Sequence, residues 1–359
     1  MYDDFYRGRR VLVTGHTGFK GAWLALWLRR LGAEVTGYAD RPPTTPNLFD
    51  AAGLAGALDH VEGRIEDRAL LAETFARCRP EVVFHLAGQA LVSVGHESPH
   101  ETFLTNVQGT VNVLQAACDT ASVRGVVSIT SDKCYENREW IWGYREIDAL
   151  GGDDAYSLSK AGAELAIRAY QLAPKAHPTL IASARAGNVV GGGDWALDRL
   201  VPDATQAFAE GRTLTLRRPQ ARRPWQHVLD PLSGYLLLGA RLAAGDREAQ
   251  GAWNFGPSPA AAATVAEVID LLASAWGTQP QITTEESYAE NQLLRLDTEK
   301  ARQHLGWSVS LDLEQTMALT AQWYKRFYEH ADQDAIVALT HDQMDTFTAT
   351  AQQRGMTWA

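Results

Sequence analysis

The chain has 359 residues, of which 45% are hydrophobic and 21% charged, and its formal net charge at pH 7 is -10. This is the composition of an ordinary globular protein, and the length suits one large α/β unit or two domains. The acidic balance argues against a nucleic-acid or anionic-membrane partner, because such partners select a basic surface.

Membrane and secretory features are not expected from the sequence. The apolar run at 23–28 ends at Arg29 and is too short for a membrane span. The first residues contain no apolar core typical of a signal peptide. Cys78, Cys118 and Cys134 are odd in number and too widely spaced to suggest a disulfide framework or a zinc site. We therefore expect a cytoplasmic protein without a bound metal.

Short apolar runs alternate with longer helical patterns through the first half of the chain. The apolar runs, which predict buried strands, cover residues 11–13, 35–38, 82–84, 126–129 and 180–184. The segments that predict helices cover residues 19–31, 68–77, 101–118 and 157–170. Such alternation predicts an α/β fold with a doubly wound parallel sheet of the Rossmann type, covered by helices on both faces.

Three glycines, Gly15, Gly18 and Gly21, follow the first strand in the run VLVTGHTGFKG and open the first helix. Glycine lets the backbone approach a pyrophosphate, and the helix N-terminus then offers N–H groups and a positive dipole end to the anion. A tight turn without a ligand is the alternative, because a glycine triplet alone is a weak signal. Asp40 follows the second strand, where a carboxylate can bind the ribose 2′-hydroxyl of NAD. Its alternative is a solvated loop acid beside Arg41.

Two further patterns suggest catalysis. Tyr156 and Lys160 form Y-x-x-x-K, and residues i and i+4 share one face of a helix. A nearby ammonium group favours the phenolate, so the tyrosine becomes a better proton acceptor. Ser131, Asp132 and Lys133 follow the fourth predicted strand. A polar loop explains such a run when it stands alone, but a serine near the same substrate oxygen would complete a proton- and hydride-transfer site.

The strand-helix alternation stops near residue 190, where Gly191, Gly192, Gly193 and Asp194 predict a loop. We expect an NAD-binding Rossmann domain with the catalytic residues over 1–190 and a smaller, mixed α/β substrate-binding region over 191–330, with segments able to cross between them. Residues 331–359 predict a peripheral C-terminal segment.

Six segments together resemble the extended short-chain dehydrogenase/reductases, and among them the nucleotide-sugar 4,6-dehydratases. They are TGHTGFKGAWLALWL, SDKCYENREWIWGYRE, YSLSK, RAGNVVGGGDWALDRLVPD, RRPWQHVLDPLSGYL and WNFGP. Many enzymes share a glycine loop, whereas the long segment after the serine is far more specific. Lys133 at its third position is the residue of the CDP-glucose branch, so the resemblance implies CDP-glucose as the substrate.

The resemblance also implies a mechanism. Tyr156 would take the proton of the sugar 4-hydroxyl while a hydride passes from C4 to NAD. Lys133 would remove the C5 proton, Asp132 would protonate the leaving 6-hydroxyl, and the hydride would return to C6. Another nucleotide-sugar 4,6-dehydratase is one alternative, and a 4-epimerase or ketoreductase, which needs only Ser131, Tyr156 and Lys160, is a second. A non-catalytic dinucleotide sensor is a third.

Matching positions give two sets of binding residues. The set expected to bind the cofactor is Gly15, Thr17, Gly18, Phe19, Gly21, Asp40, Arg64, Ile65, Leu86, Ala87, Gly88, Tyr156, Lys160 and Val189. The set expected to bind the nucleotide sugar is Gln89, Asn188, Arg199, Leu200, Leu214, Arg223, Trp225 and Asn254. Guanidinium groups in the second set suit a diphosphate.

Some positions depart from the family pattern. Arg64 stands where related enzymes usually carry an aspartate that contacts the adenine, and Asp40 stands where close relatives tend to be apolar. These two departures leave NADP open beside NAD. The segment 93–96 lacks the arginine and the serine-tyrosine pair expected there, which affects the expected substrate contacts.

A homodimer is expected through the helices 101–118 and 157–170, which tend to pair across a two-fold axis in this fold. Four alanines of the second helix are small enough for the helices of two subunits to approach closely: Ala161, Ala163, Ala166 and Ala169.

Overall fold

The computed structural model describes residues 2–173, 178–257, 261–285 and 294–359. Seven strands form its central sheet: β1 (Arg10–Thr14), β2 (Glu34–Ala39), β3 (Asp59–Glu62), β4 (Val82–His85), β5 (Gly125–Ile129), β6 (Leu180–Ala186) and β11 (Gly251–Phe255). The strand order is β11-β6-β5-β4-β1-β2-β3, and every neighbouring pair is parallel. The predicted doubly wound α/β fold is confirmed.

Helices surround this sheet. They are α1 (Phe19–Arg30), α2 (Leu48–Ala51), α3 (Leu54–Ala57), α4 (Arg68–Cys78), α5 (Val92–Glu97), α6 (Pro99–Phe103), α7 (Thr110–Asp119), α8 (Ala155–Gln171), α9 (Leu200–Glu210), α10 (Leu229–Ala243), α11 (Val265–Trp276), α12 (Glu299–Leu305), α13 (Leu313–Tyr328) and α14 (Gln333–Gln353). A π-helical turn, Leu104–Gly109, joins α6 to α7. No helix in the described part of the chain is long and apolar enough to cross a membrane.

The two strands that the sequence analysis missed lie at the sheet edges. β3 has the polar sequence DHVE and is only partly buried, so it lacks the apolar run of a central strand. β11 pairs with β6 from Gly251 opposite Ala182 to Phe255 opposite Ala186. The chain therefore crosses back from the predicted substrate-binding region into the Rossmann sheet.

Three two-stranded ladders lie outside the central sheet. β7 (Val189–Val190) pairs in parallel with β10 (Gln226–His227), β8 (Leu214–Leu216) in parallel with β13 (Ile282–Thr284), and β9 (Arg222–Arg223) antiparallel with β12 (Ala263–Thr264). Because β7 follows β6 directly, this region begins at the carboxyl end of the parallel sheet. Ligands of open α/β sheets bind at that end.

The hydrophobic core has one cluster on each face of the sheet. Val11 and Val13 of β1 belong to the larger cluster and Leu12 to the smaller one, because alternate strand residues face opposite sides. The C-terminal helix α14 packs against the larger cluster, where the fully buried Phe347 contacts Trp27 with ring centroids 5.6 Å apart. The predicted peripheral segment therefore covers part of the core.

Candidate active site

The glycine loop connects β1 to α1 and folds closely on itself. Gly15 has φ +76, and a Cβ atom there would lie 2.6 Å from the backbone nitrogen of Ala87. A Cβ atom on Gly21 would lie 2.1 Å from the carbonyl oxygen of Gly15. Gly18 precedes α1 and provides no side-chain cap, so first-turn N–H groups of the helix are available to an anion. The loop therefore fits the pyrophosphate of a dinucleotide.

The carboxyl ends of β2 and β3 border this loop. Thr17 Oγ1 donates a hydrogen bond of 2.9 Å to the carbonyl oxygen of Asp40, which holds the exposed Asp40 beside the glycines. Arg64 forms ion pairs with Glu66 at 3.4 Å and with Glu101 at 3.5 Å. The guanidinium charge at the predicted adenine position is therefore partly neutralised within the protein. Arg64 is engaged by these two glutamates, whereas the carboxylate of Asp40 is exposed. Asp40 is therefore the better candidate for a contact with the ribose.

Leu86, Ala87 and Gly88 follow β4, and Gly88 lies close to Lys160 of α8. A Cβ atom on Gly88 would lie 2.9 Å from Asn106 Oδ1 and 3.1 Å from Lys160 Nζ. The absence of a side chain at Gly88 therefore leaves room for both polar groups. The predicted cofactor residue Ile65 is buried and packs against the π-helical turn that carries Asn106.

Asn106 is a site residue that the sequence analysis missed. Its amide donates to Ser159 Oγ at 2.8 Å and to the carbonyl oxygen of Gln89 at 3.0 Å. It lies within the π-helical turn, and such turns often mark functional sites. No sequence motif signals that turn.

Tyr156 and Lys160 lie one turn apart near the start of α8, both buried, with Lys160 Nζ 5.8 Å from the tyrosine ring centroid. Asp154 begins this helix by accepting a 2.9 Å hydrogen bond from the backbone of Ser157. Burial raises the pKa of Tyr156 to about 12, and a hydrogen bond with Ser131 acts in the opposite direction. Burial also lowers the pKa of Lys160 to about 8. The structure thus brings together the predicted serine, tyrosine and lysine.

The run Ser131-Asp132-Lys133 forms a tight turn at the carboxyl end of β5. Ser131 Oγ accepts from the backbone of Lys133 at 3.2 Å and donates to Asp132 Oδ1 at 3.0 Å. Ser131 and Asp132 are buried, and Lys133 is half-buried. Asp132 packs against the backbone of Gly187, where a Cβ atom would lie 1.9 Å from Oδ2. The alternative of an ordinary solvated loop does not fit this burial.

A buried hydrogen-bond network, which includes Glu164, Arg185 and Tyr135, packs next to the Ser131-Asp132-Lys133 turn. Glu164 and Arg185 form an ion pair at 2.7 Å with both side chains only 3% exposed. Arg185 Nη1 also donates to Tyr135 Oη at 2.6 Å, and Tyr135 donates to Asn254 Oδ1 at 2.8 Å. The Asn254 amide nitrogen donates to the carbonyl oxygens of Tyr144 and Asp297. The predicted substrate role of Asn254 does not fit, because its amide is already used inside the protein.

The other predicted substrate residues differ in how far they can reach a ligand. Leu214 is buried in the core, which does not fit a substrate contact. Gln89 donates from Nε2 to Thr102 Oγ1 at 3.0 Å and accepts from the backbone of Leu91, so its amide is largely occupied. Arg199 remains partly exposed while it pairs with Asp194 at 2.9 Å.

The remaining predicted residues lie around the carboxyl end of the sheet. They are Phe19 at the first position of α1, Asn188 after β6 with φ +50, Val189 on β7, Leu200 at the first position of α9, Arg223 on β9 and the partly buried Trp225 before β10. Each position adjoins a strand end or a helix start.

Lys20, within the glycine run, is a second residue that the sequence analysis missed. It is half-buried, and burial lowers its pKa to about 8. The positive charges of Arg199 and Lys160 act in the same direction, whereas Asp132 acts in the opposite one. Its ammonium group therefore faces the centre of the site. The signal in the sequence is a lysine among the apolar residues of α1.

Comparison with known proteins agrees with this geometry. Residues 11–256 match the model of the NAD dependent epimerase/dehydratase family. The chain is 42% identical over 357 residues to a CDP-glucose 4,6-dehydratase of Salmonella typhimurium, covering 97% of this chain and 99% of that protein.

Solved structures share the fold at lower identity. A UDP-glucose 4-epimerase from Thermotoga maritima is 22% identical with a TM-score of 0.76, covering 88% of this chain and 99% of that one. A dTDP-glucose 4,6-dehydratase from Bacillus anthracis in complex with NAD is also 22% identical, with a TM-score of 0.74, covering 89% and 97%. The family match and the near full-length relative show that this chain belongs to the NAD dependent epimerase/dehydratase family.

Proposed function

We propose that this chain is a CDP-glucose 4,6-dehydratase. The observation that carries the proposal is the pair Asp132-Lys133, built into a buried turn beside Tyr156 and Lys160. A 4-epimerase or ketoreductase of this fold needs the tyrosine and the lysine, but it has no step for a second acid and base. The near full-length similarity to a curated CDP-glucose 4,6-dehydratase supports the same reaction.

Tyr156 accepts the proton of the substrate 4-hydroxyl when C4 is oxidised. Burial raises the pKa of the phenol to about 12, which disfavours the phenolate that has to accept this proton. Lys160 counteracts this effect of burial. Neutral pH lies below the Lys160 pKa of about 8, so the side chain remains a cation that favours the phenolate. The Ser131 hydroxyl helps to place the same substrate oxygen.

NAD supplies the hydride acceptor and donor of this reaction when it is bound. Gly15, Gly18 and Gly21 would hold its pyrophosphate in the close-packed loop, since side chains at the first and third of these positions would fill the space. The exposed carboxylate of Asp40 suits a ribose 2′-hydroxyl and repels a 2′-phosphate. Arg64 does not reverse this preference, because its charge is engaged by two glutamates. NAD is therefore the expected cofactor over NADP.

Asp132 and Lys133 perform the elimination once C4 is a ketone. The ketone makes the C5 hydrogen acidic, and Lys133 removes it as a proton. Asp132 donates its proton to the 6-hydroxyl, the C6–O bond breaks, and water leaves as the C5–C6 double bond forms. In the alternative role, Lys133 acts only as a cation that stabilises the enolate.

We assign the diphosphate of the substrate to Arg199 and Arg223. Arg199 is partly exposed, and its positive charge partly opposes the rise in the pKa of Tyr156 that burial causes, so it lies at the edge of the catalytic centre. Arg223 is half-buried on β9, two residues before Trp225. Guanidinium forks bind phosphate oxygens in pairs.

Product analysis tests the proposal. The enzyme is incubated with NAD and CDP-glucose, and in parallel with dTDP-glucose, UDP-glucose and GDP-mannose. We expect a product of CDP-glucose lighter by one water, without net formation of NADH. Turnover of UDP-glucose to an isomer of unchanged mass would instead identify a 4-epimerase, and preference for another base would identify another 4,6-dehydratase.

Exchange of the C5 hydrogen tests the base. In deuterated water, Lys133→Met is expected to retain oxidation at C4 and to lose incorporation of deuterium at C5. Lys325→Met, whose lysine donates to the carbonyl oxygen of Trp276 outside the site, serves as the matched control. Parental deuterium incorporation by Lys133→Met would exclude Lys133 as the base that removes the C5 proton.

We also propose a homodimer formed by α8 and the helical stretch from α6 through α7, which covers the predicted segment 101–118. Leu158 and Leu165 on α8, and Leu172 directly after it, are spaced seven residues apart and are 45%, 59% and 73% exposed. They support the contact better than the alanines do, because Ala161 and Ala163 are buried within their own subunit. Leu165→Asp is expected to give a monomer in light scattering at micromolar concentration. A parental protein that is already monomeric would reject the dimer.

The cytoplasm is the proposed location. All three cysteines are free, which is typical of a reducing compartment. Fractionation of the source cells, followed by immunodetection, tests this assignment, and recovery outside the cytoplasmic fraction would contradict it.

A further inference from the structure

Tyr235, in the middle of α10, carries a buried hydroxyl group that the mechanism does not use. The side chain is 0% exposed, and its oxygen has no hydrogen-bond partner among the residues that the structure describes. A buried polar group without a hydrogen-bond partner destabilises the folded state, and phenylalanine at this position would avoid that cost. The hydroxyl therefore requires an explanation.

Gln226 presents a second such oxygen nearby. Its Nε2 atom donates to the carbonyl oxygens of Gly187 at 3.2 Å and Phe255 at 3.0 Å, which uses both amide hydrogens. Its Oε1 atom is buried and, within the described chain, has no donor. The ring of Tyr235 packs edge-on against Phe255 with centroids 5.6 Å apart. The two oxygens thus share Phe255 as a neighbour.

Asp132 lies against the same backbone segment. Gly187, whose carbonyl oxygen binds Gln226, is also the residue whose missing side chain leaves room for Asp132 Oδ2. Asp132 Oδ1 is occupied by Ser131, so Oδ2 faces this segment. Burial raises the pKa of Tyr235, and the negative charge of Asp132 acts in the same direction, which agrees with the proximity of the two side chains.

We propose that Tyr235 is a positioning residue for the elimination step, holding an ordered water against the carboxyl group of Asp132 together with Gln226. Tyr235 donates to the water, and the water donates to Gln226 Oε1 and Asp132 Oδ2. Three polar partners are the usual number for a buried water. This inference rests on the proposed function, in which Asp132 is the acid.

The water acts when Asp132 gives up its proton. The O–H bond of the carboxyl group and the C6–O bond break, the departing hydroxyl gains the proton, and Asp132 is left as a carboxylate. A hydrogen bond from the held water stabilises that carboxylate and fixes its orientation. Tyr235 keeps its own proton throughout, and oxidation at C4 does not involve it.

The test compares the two chemical steps in Tyr235→Phe. We expect C4 oxidation, followed as reduced cofactor in a single turnover, at the parental rate, and release of water slower by about tenfold, the loss that corresponds to one hydrogen bond. Tyr6→Phe is the matched control, because Tyr6 is equally buried and bonds the carbonyl oxygen of Leu236 in the same helix. That control is expected to leave both steps unchanged.

A double variant separates positioning from a merely structural role. Asp132→Asn slows elimination on its own, and adding Tyr235→Phe to it is expected to cause no further loss. Equal slowing of both steps by Tyr235→Phe, parental water release, or full additivity with Asp132→Asn would each overturn the inference. If the parental enzyme releases no water from any nucleotide sugar, the proposed function itself is wrong. If the parental enzyme releases water and only the results expected for Tyr235→Phe are absent, the positioning role is rejected and the proposed function stands.

Discussion

Glu164→Gln is expected to destabilise the protein strongly, because it removes one charge of the most buried ion pair described above. The carboxylate accepts from Arg185 at 2.9 Å and 2.7 Å, and from the hydroxyl groups of Thr130 and Ser183. Glutamine keeps the shape but leaves the Arg185 guanidinium as an uncompensated buried charge. Breaking a buried pair in this way costs about 3–5 kcal/mol.

The assay is thermal unfolding followed by circular dichroism. For 359 residues, with an unfolding entropy of about 2 cal/mol/K per residue, that loss corresponds to a fall in Tm of roughly 4–7 °C. The effect should extend to catalysis, because Arg185 also holds Tyr135, directly after the catalytic turn.

Glu299→Gln is the matched control, since Glu299 pairs with Arg302 on the surface, where both side chains are more than half exposed. It is expected to leave Tm unchanged within error, because exposed pairs contribute little. A fall in Tm for Glu164→Gln no larger than that of the control would refute the reasoning. So would a double variant, Glu164→Met with Arg185→Met, that is less stable than Glu164→Gln, because a neutral pair leaves no buried charge.

Three further predictions concern the cofactor loop and the catalytic pair. Gly15→Ala should abolish NAD binding in calorimetry, since φ +76 and a 2.6 Å approach to the backbone nitrogen of Ala87 exclude a Cβ atom. Gly18→Ala, where the nearest neighbour lies at 3.5 Å, should bind NAD more nearly like the parent. Tyr156→Phe should lower turnover by about a hundred- to ten-thousand-fold, and Tyr170→Phe, a half-buried tyrosine of the same helix, should not. Because burial lowers the pKa of Lys160 to about 8, turnover should fall as pH rises through that value, and Lys160→Arg should remove this alkaline limb from the pH profile. The folded state binds the Lys160 proton less readily than the unfolded state does, so the free energy of unfolding should increase between about pH 8 and pH 10.5. An unfolding series that shows no such gain relative to Lys160→Arg would contradict the burial argument.

The sequence by itself determined the features that local pattern controls. Apolar runs predicted five strands of the sheet, because buried parallel strands are hydrophobic on both faces. The glycine loop was predictable because a backbone that turns tightly at Gly15 and packs closely at Gly21 accepts no side chain. Y-x-x-x-K was predictable because one helical turn joins Tyr156 to Lys160.

Only the tertiary structure decided which distant residues meet. β3 and β11 are strands because their neighbours in the sheet supply their hydrogen bonds. Their own sequences contain too few consecutive apolar residues to predict a strand. Lys20 faces the catalytic centre and Asn106 turns toward Lys160 because packing and a π-helical turn direct them there. Asn254 supports the catalytic turn because contacts with residues more than a hundred positions away in the chain occupy its amide. Such contacts leave no periodic pattern in the sequence, since they depend on the path of the whole chain rather than on neighbouring residues.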